Sequence, residues 1–368
     1  MSVEADEFFS DSYVEARGKF GAACEESGVG VSSLEHPSET GPKGETLAID
    51  VAVFGRADAP NMILINTGTH GLEGFCGSAI VTQWIRRREY ERLGANVGAV
   101  IVHGLNPWGF AHLRRTTENN VDLNRNFIDH TTPYPDNPRY GELHGIVCPS
   151  AWSEAALAEA KDRLDAYAEI HGRDTMMDAL IRGQYSHADG MNYGGSGREW
   201  SNLALEKICA EHLAHARHLG FIDWHTGIGE HGELVFLCFN EEGGELHRRA
   251  GEWWGAENVA RDAAFASAGR KRPDYKGLVF YGVQQFLPGA EMAGAVIEYG
   301  TRGSPPMYKA LRLDRWLQFE TDRWSPENAD KVEDLFDSFC PRAEEWRRGV
   351  LDSSLAVTRA MCEGLASW

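Results

Sequence analysis

The stretch Met62-Ile63-Leu64-Ile65-Asn66-Thr67-Gly68-Thr69-His70-Gly71-Leu72-Glu73-Gly74 carries both a fold signal and a chemical one. Residues 62–66 are a short, continuously apolar run, the pattern of a strand buried on both faces. The run ends in a glycine-rich turn that holds a histidine and a glutamate three residues apart. In a tight turn, or in the first turn of a helix, both side chains can face one point. Residues 75–93 then read as a helix, with Ile80, Trp84 and Ile85 inward, and residues 97–102 as another buried strand. Strand, loop, helix, strand is the rhythm of a parallel or mixed sheet covered by helices. In such sheets the chemistry sits in loops beyond the carboxyl ends of strands, where His70 and Glu73 fall.

Two later stretches end in the same way. The run 219–224 leads to His225, and Ala295-Val296-Ile297 leads to Glu298. Asp223 lies two residues before His225, so on a strand both point to one face, and Asp223 is placed to orient a ligand or a substrate group. A His-x-x-Glu pair alone often arises by chance. Joined by His225, the pair His70 and Glu73 becomes a His₂Glu donor set, which leaves a zinc coordination position open. Glu298 is then free to move the protons of a water molecule.

The rest of the chain fits around these elements. Helices are expected at 5–28, 153–171, 203–218, 243–256, 306–322, 327–338 and 341–365, and further strands at 46–54 and 234–239. Residues 129–150 and 183–201 read as loop. Repeats, low-complexity tracts and linkers are absent from the sequence, so residues 1–368 are expected to form a single domain. A loop and helix insert around 129–200 is expected to line the pocket.

Bulk properties narrow the function. With 368 residues the chain can bury a large core, and 42% hydrophobic residues are ordinary for a soluble protein. A net charge of −19 argues against nucleic acid and anionic membranes as partners, since both need basic patches. The stretch 1–7 is acidic and lacks the apolar core of a signal peptide, and no apolar run approaches a membrane span. Seven scattered cysteines, odd in number and without a Cys-x-x-Cys pair, fit a reduced cytoplasm.

Four pieces together carry a resemblance to a known family: Gly68-Thr69-His70-Gly71-Leu72-Glu73-Gly74, Arg114-Arg115-Thr116 with Val121-Asp122-Leu123-Asn124-Arg125-Asn126-Phe127, Asp223-Trp224-His225-Thr226-Gly227, and Val296-Ile297-Glu298-Tyr299-Gly300-Thr301. In that order they resemble the zinc carboxypeptidase superfamily, and most of all a bacterial branch known as a domain of unknown function. The resemblance spans residues 68–301, and the Asp-Leu-Asn-Arg-Asn-Phe run is its most specific piece. It implies an α/β fold with a mixed sheet of about eight strands between helices, of the phosphorylase/hydrolase-like type. It implies His70, Glu73 and His225 as ligands of one zinc per chain, and Glu298 as the general base. It further implies Asn124 and Arg125 as binders of a substrate carboxylate, and an arginine of the Arg114-Arg115 pair as oxyanion stabiliser. The family's Arg-Lys-Thr pattern favours Arg114 for that role, with Arg115 one residue away as the alternative at the substrate. The tyrosine that classical members place before the base has Tyr281 as a candidate counterpart, with Tyr185 and Tyr193 as rivals. Arg302, just past the base, is a further candidate contact for an acidic substrate group.

The physics supports such a set. Zinc brings the pKa of bound water to about 7, and an arginine can hold the charge of a tetrahedral intermediate. A planar guanidinium suits a carboxylate-bearing substrate. The expected function is therefore hydrolysis of an amide bond in a small-molecule or peptide substrate with a free carboxylate, by Glu-assisted attack of water. The peptidase reading leads. Deacylation of an N-acyl amino acid, as in aspartoacylase-like relatives, is the alternative, and a non-catalytic zinc-binding protein is the reading from another class. The sequence leaves an oligomer open.

Overall fold

The computed structural model describes residues 5–266 and 271–368. Of the acidic stretch 1–7, only Ala5, Asp6 and Glu7 fall within the described residues. Seven strands form one sheet: β1 (Val31–Thr40), β2 (Thr46–Gly55), β3 (Asn61–Thr67), β4 (Val97–His103), β5 (His218–Thr226), β6 (Leu234–Cys238) and β7 (Glu291–Tyr299). Their order is β1-β2-β4-β3-β5-β7-β6. The central strands β4, β3, β5 and β7 run parallel, while β1, β2 and β6 pair antiparallel at the two sides. The mixed sheet expected from sequence thus has seven strands among the described residues.

The centre of the sheet is covered on both faces. Along β3, Ile63 and Ile65 pack into one apolar cluster while Met62 and Leu64 pack into another, following the period-2 alternation of a strand. Fully burying each such side chain contributes about 1.5–3 kcal/mol. The helices, in chain order, are α1 (Tyr13–Glu26), α2 (Gly74–Arg86), α3 (Pro107–Ala111), α4 (Pro138–Val147), α5 (Glu154–His171), α6 (Arg173–Ile181) and α7 (Trp200–His212). After them come α8 (Glu245–Trp254), α9 (Ala263–Ala266), α10 (Val279–Phe286), α11 (Ser304–Phe319), α12 (Ala329–Phe339) and α13 (Glu344–Ala366). Residues of α1, α2, α8 and α13 build the cluster on the Ile63 face, and residues of α7 and α10 build the one on the Leu64 face. Helices α4, α5 and α6 of the insert share a third, smaller cluster around Leu143, Val147 and Leu180. Among the described residues, no helix is long and apolar enough to cross a membrane.

Three elements depart from the sequence reading for physical reasons. Strand β1 is polar and holds Pro37, which an edge strand tolerates because one side of its backbone needs no partner. Helix α4 lies within the expected loop 129–150, and starts on Pro138, whose missing N–H is no loss in the first turn of a helix. The helix expected at 203–218 instead runs from Trp200 to His212, because the chain enters β5 at His218.

Candidate metal centre and active site

The parallel register brings the motifs together. Asn66 of β3 pairs with Asp223 of β5, and His225 of β5 pairs with Glu298 of β7, so their carboxyl ends form one rim. The turn after β3 carries His70 and Glu73 to the same place. That turn is pinned by backbone hydrogen bonds from Gly71 N–H and Leu72 N–H to the carbonyls of Arg115 and Arg114, at 3.2 and 3.0 Å. Gly71 makes the approach possible: a Cβ there would sit 2.0 Å from the carbonyl carbon of Gly109.

His70, Glu73 and His225 are all buried, and their potential ligand atoms lie within 4.8 Å of one another. His70 Nδ1 is 2.8 Å from Glu73 Oε1, and His225 Nδ1 is 2.9 Å from Glu73 Oε2. The opposite nitrogen of each ring faces another buried carboxylate. His70 Nε2 lies 2.9 Å from Asp122 Oδ1, and His225 Nε2 lies 2.8 Å from Asp223 Oδ2. Each ring thus lies between two carboxylates; with a cation at Glu73, the outer carboxylate would keep the N–H on Nε2 and free the Nδ1 lone pair for the ion. Two imidazole nitrogens and a carboxylate converging in a buried space suit a cation between them. The donor set fits zinc, which takes nitrogen and oxygen ligands and keeps a position open with three protein ligands.

The charges at the site follow from these contacts. Burial raises the Glu73 carboxyl, but the facing His70 and His225 outweigh it and hold Glu73 below the ordinary range. Burial lowers His225, yet Asp223 and Glu73 hold it well above the ordinary imidazole range. Asp122 is likewise held low despite burial, by Arg115 first and then by Arg125 and His70. Glu298 behaves in the opposite way: burial pushes its carboxyl up to about 7, and the charge of Glu73 adds to the rise. Glu298 Oε2 accepts a long hydrogen bond, 3.3 Å, from Ile228 N–H.

A cavity of about 320 Å³ opens over these groups, lined by His70, Glu73, Glu298, Arg115, Arg125 and Tyr275 among others. Insert residues Met177 and Ile181 lie in its wall, as do Met307 and Tyr308 of α11. Arg115 reaches it while donating from Nη1 to Asp122 Oδ2 at 2.7 Å, with its Nε 3.9 Å from Glu73 Oε1. Arg114 does not reach it. Its buried side chain turns the other way, donating to Asp314 at 2.8 Å and to Thr116 at 2.9 Å. The two adjacent arginines thus point in different directions, and one of the pair leaves the site.

Arg125 is buried and faces the cavity, with hydrogen bonds to the carbonyls of Ile181 and Asn124. Asn124 is not among the cavity-lining residues. Its side-chain oxygen accepts the N–H of Val279 at 2.8 Å, which ties the start of α10 to the Arg125 turn. Tyr185, Tyr193 and Tyr281 do not line this cavity, whereas Tyr275 and Tyr308 do. Tyr275 lies under the Arg125 guanidinium at 4.9 Å, and burial pushes its phenol up to about 12. Arg302 is engaged outside the cavity, by Asp334 and Asp337. Sequence reasoning quoted Asp122 within a motif without a role for it, and did not single out Tyr275. Both lack a local pattern, because their positions depend on contacts between distant segments.

The architecture matches solved structures. Bovine thrombin-activatable fibrinolysis inhibitor, solved with tick carboxypeptidase inhibitor, superposes with a TM-score of 0.51 at 11% identity, covering 98% of each chain. Carboxypeptidase A from Helicoverpa armigera superposes with a TM-score of 0.52 at 13% identity, covering 98% of this chain and 74% of that one. No curated protein sequence matches. Residues 9–353 match the family described as protein of unknown function DUF2817. The chain therefore belongs to the DUF2817 family and has the zinc carboxypeptidase-like fold.

Proposed function

We propose that this protein is a zinc-dependent hydrolase that cleaves an amide bond in a small substrate bearing a free carboxylate. The observation that carries the reading is the convergence of His70, Glu73, Arg115, Arg125 and Glu298 on one cavity at the carboxyl ends of parallel strands, with His225 completing the donor set. The carboxypeptidase A name of one superposed structure, and the carboxypeptidase inhibitor bound in the other, support the peptide form of the reaction.

His70, Glu73 and His225 would hold the metal. A zinc ion there supplies Lewis-acid polarisation of a carbonyl and makes water acidic enough to attack near neutral pH. Glu298 takes a proton from the attacking water and returns it to the leaving amine. Its carboxyl, pushed up to about 7, is close to the pH at which one group serves as both base and acid. Arg115 replaces Arg114 in the oxyanion role: its guanidinium lies beside Glu73, and donates to the oxygen on which negative charge develops. Arg125 binds the substrate carboxylate through the N–H groups that its backbone partners leave open. Tyr275 stays a protonated phenol beside it and offers a further donor. Asp122 and Asp223 hold the imidazoles in the ligating tautomer.

The cavity volume of about 320 Å³ favours small substrates, and so keeps deacylation of an N-acyl amino acid as the second reading. The deciding experiment measures the metal content of the wild-type protein beside His70→Ala, with hydrolysis of a mixed panel of peptides and N-acyl amino acids. About one zinc per chain, lost in the variant, and turnover of a panel member are expected. A wild type that takes up no metal when zinc is supplied would refute the proposal.

A further inference from the structure

Two arginines line the cavity without a carboxylate of their own at ion-pair distance among the described residues; the Asp122 that Arg125 influences is already paired with Arg115. Arg115 is paired with Asp122. Arg125 instead donates only to the carbonyls of Ile181 and Asn124. Arg272, in the segment before α10, donates to the carbonyl of Cys238 and lies over the Phe239 ring at 4.6 Å. Among the described residues, no carboxylate stands at ion-pair distance from either guanidinium. The nearby charge acting on Arg272 is another cation, Arg261.

The two are fixed on one wall. The Arg125 guanidinium covers Tyr275, the Tyr275 ring meets Phe239 at 6.1 Å, and Arg272 covers Phe239. Lining carboxylates such as Asp174, Glu230 and Glu233 are exposed, so they belong to the mouth rather than to this wall. Removing a guanidinium from water without a counter-ion is costly, and a ligand anion offsets that cost. Arg125 is buried and Arg272 half-buried, and a ligand with one carboxylate leaves one of them without a counter-ion.

We infer that the substrate carries two carboxylates, one held at Arg125 and a second at Arg272, as in an amide of an aspartate- or glutamate-like amino acid. The inference rests on the hydrolase reading for the scissile amide, while the two anion positions stand on the cavity wall alone. Arg272 is then a specificity-determining residue.

The test is calorimetric binding of N-acetylglutamate and N-acetylglutamine to the zinc-loaded protein. The pair differs in one carboxylate and hardly in shape. The wild type is expected to bind the dicarboxylate at least about tenfold tighter, the scale of a charge-assisted pair. Arg272→Met is expected to bind both alike. Arg272→Gln keeps a donor for the Cys238 carbonyl and serves if the first variant folds poorly; it too is expected to lose the preference. Equal binding by the wild type, binding of neither ligand, or a preference that survives both substitutions would overturn the inference. Hydrolysis of the same amides separates the two claims. The preference without turnover sinks the hydrolase reading and leaves the two-carboxylate site. Equal kcat/KM on acidic and neutral amides, with equal binding, sinks the site and leaves the hydrolase.

Discussion

Glu298 stands beside His225 in the β5–β7 register, buried, and with a single long hydrogen bond from Ile228 N–H. A carboxylate used for structure would be held by more partners; this one is left free to exchange a proton. Glu298→Gln keeps the shape and removes the proposed base. Turnover is expected to fall about 10²–10⁴-fold, with zinc content unchanged. A variant that keeps full activity would remove Glu298 from the chemistry. The neighbouring arginines make a sharper pair, since they differ by one position and are held in opposite directions. Arg114 is locked to Asp314, which Arg323 also contacts. Arg114→Met leaves that buried carboxylate short of a partner and is expected to cost about 3–5 kcal/mol of stability. Arg115→Met is expected to lower kcat by about 10²–10³-fold, the scale of a lost oxyanion donor. Melting and turnover measured on both variants check the assignment. If Arg114→Met retains its stability while losing kcat selectively, the two roles are exchanged.

At the scale of elements, the decisive piece is the turn between β3 and α2. It carries two of the three candidate ligands and is held by the backbone of the arginine segment. Gly71→Ala adds a Cβ against the Gly109 carbonyl carbon and the Phe110 nitrogen, at 2.0 and 2.2 Å, so the two segments must part. Zinc affinity is expected to drop by at least about tenfold, by the same logic that makes groups supporting a metal ligand matter. Zinc titration with a competing chelator measures it, and an unchanged affinity would show that the turn tolerates the shift. This turn also shows what the sequence could reveal. Buried parallel strands write their position as continuous apolar runs, and ligands at strand ends follow at once, so β3, β5 and β7 with His70, Glu73, His225 and Glu298 were legible. Strand β1 was not, because an edge strand exposed on one side carries little apolar pattern. The directions of the Asn124 and Arg114 side chains were not legible for a related reason. A motif gives residue type and spacing, but the direction of a loop side chain depends on partners far away, here Val279 and Asp314. Tyr275 follows the same rule, since only the packing of the segment before α10 brings it under Arg125.

Across the whole molecule, the candidate ligands come from chain positions 70, 73 and 225, with the carboxylates that orient their imidazoles at 122 and 223. An unfolded chain does not hold these groups together, so a metal that binds here binds the folded state far more tightly. Linkage then makes the metal a stabiliser of the entire sheet, by about 4 kcal/mol when free zinc exceeds its dissociation constant a thousandfold. The metal must displace the proton that Asp223 and Glu73 hold on the His225 ring, so the gain is expected to grow as pH rises. Thermal melting of the metal-free protein, with and without zinc, is expected to show a rise of several degrees. His70→Ala is expected to melt at one temperature in both conditions, since two remaining donors hold zinc weakly. A second comparison excludes a trivial cause. His144, His187 and Asp189 form a histidine-rich patch in the insert, away from the strand ends, and could bind zinc at the surface. His187→Ala is therefore expected to respond to zinc as the wild type does. A zinc response lost in His187→Ala and retained in His70→Ala would move the metal to the insert, and would leave the groups at the strand ends without the cation that their arrangement suits.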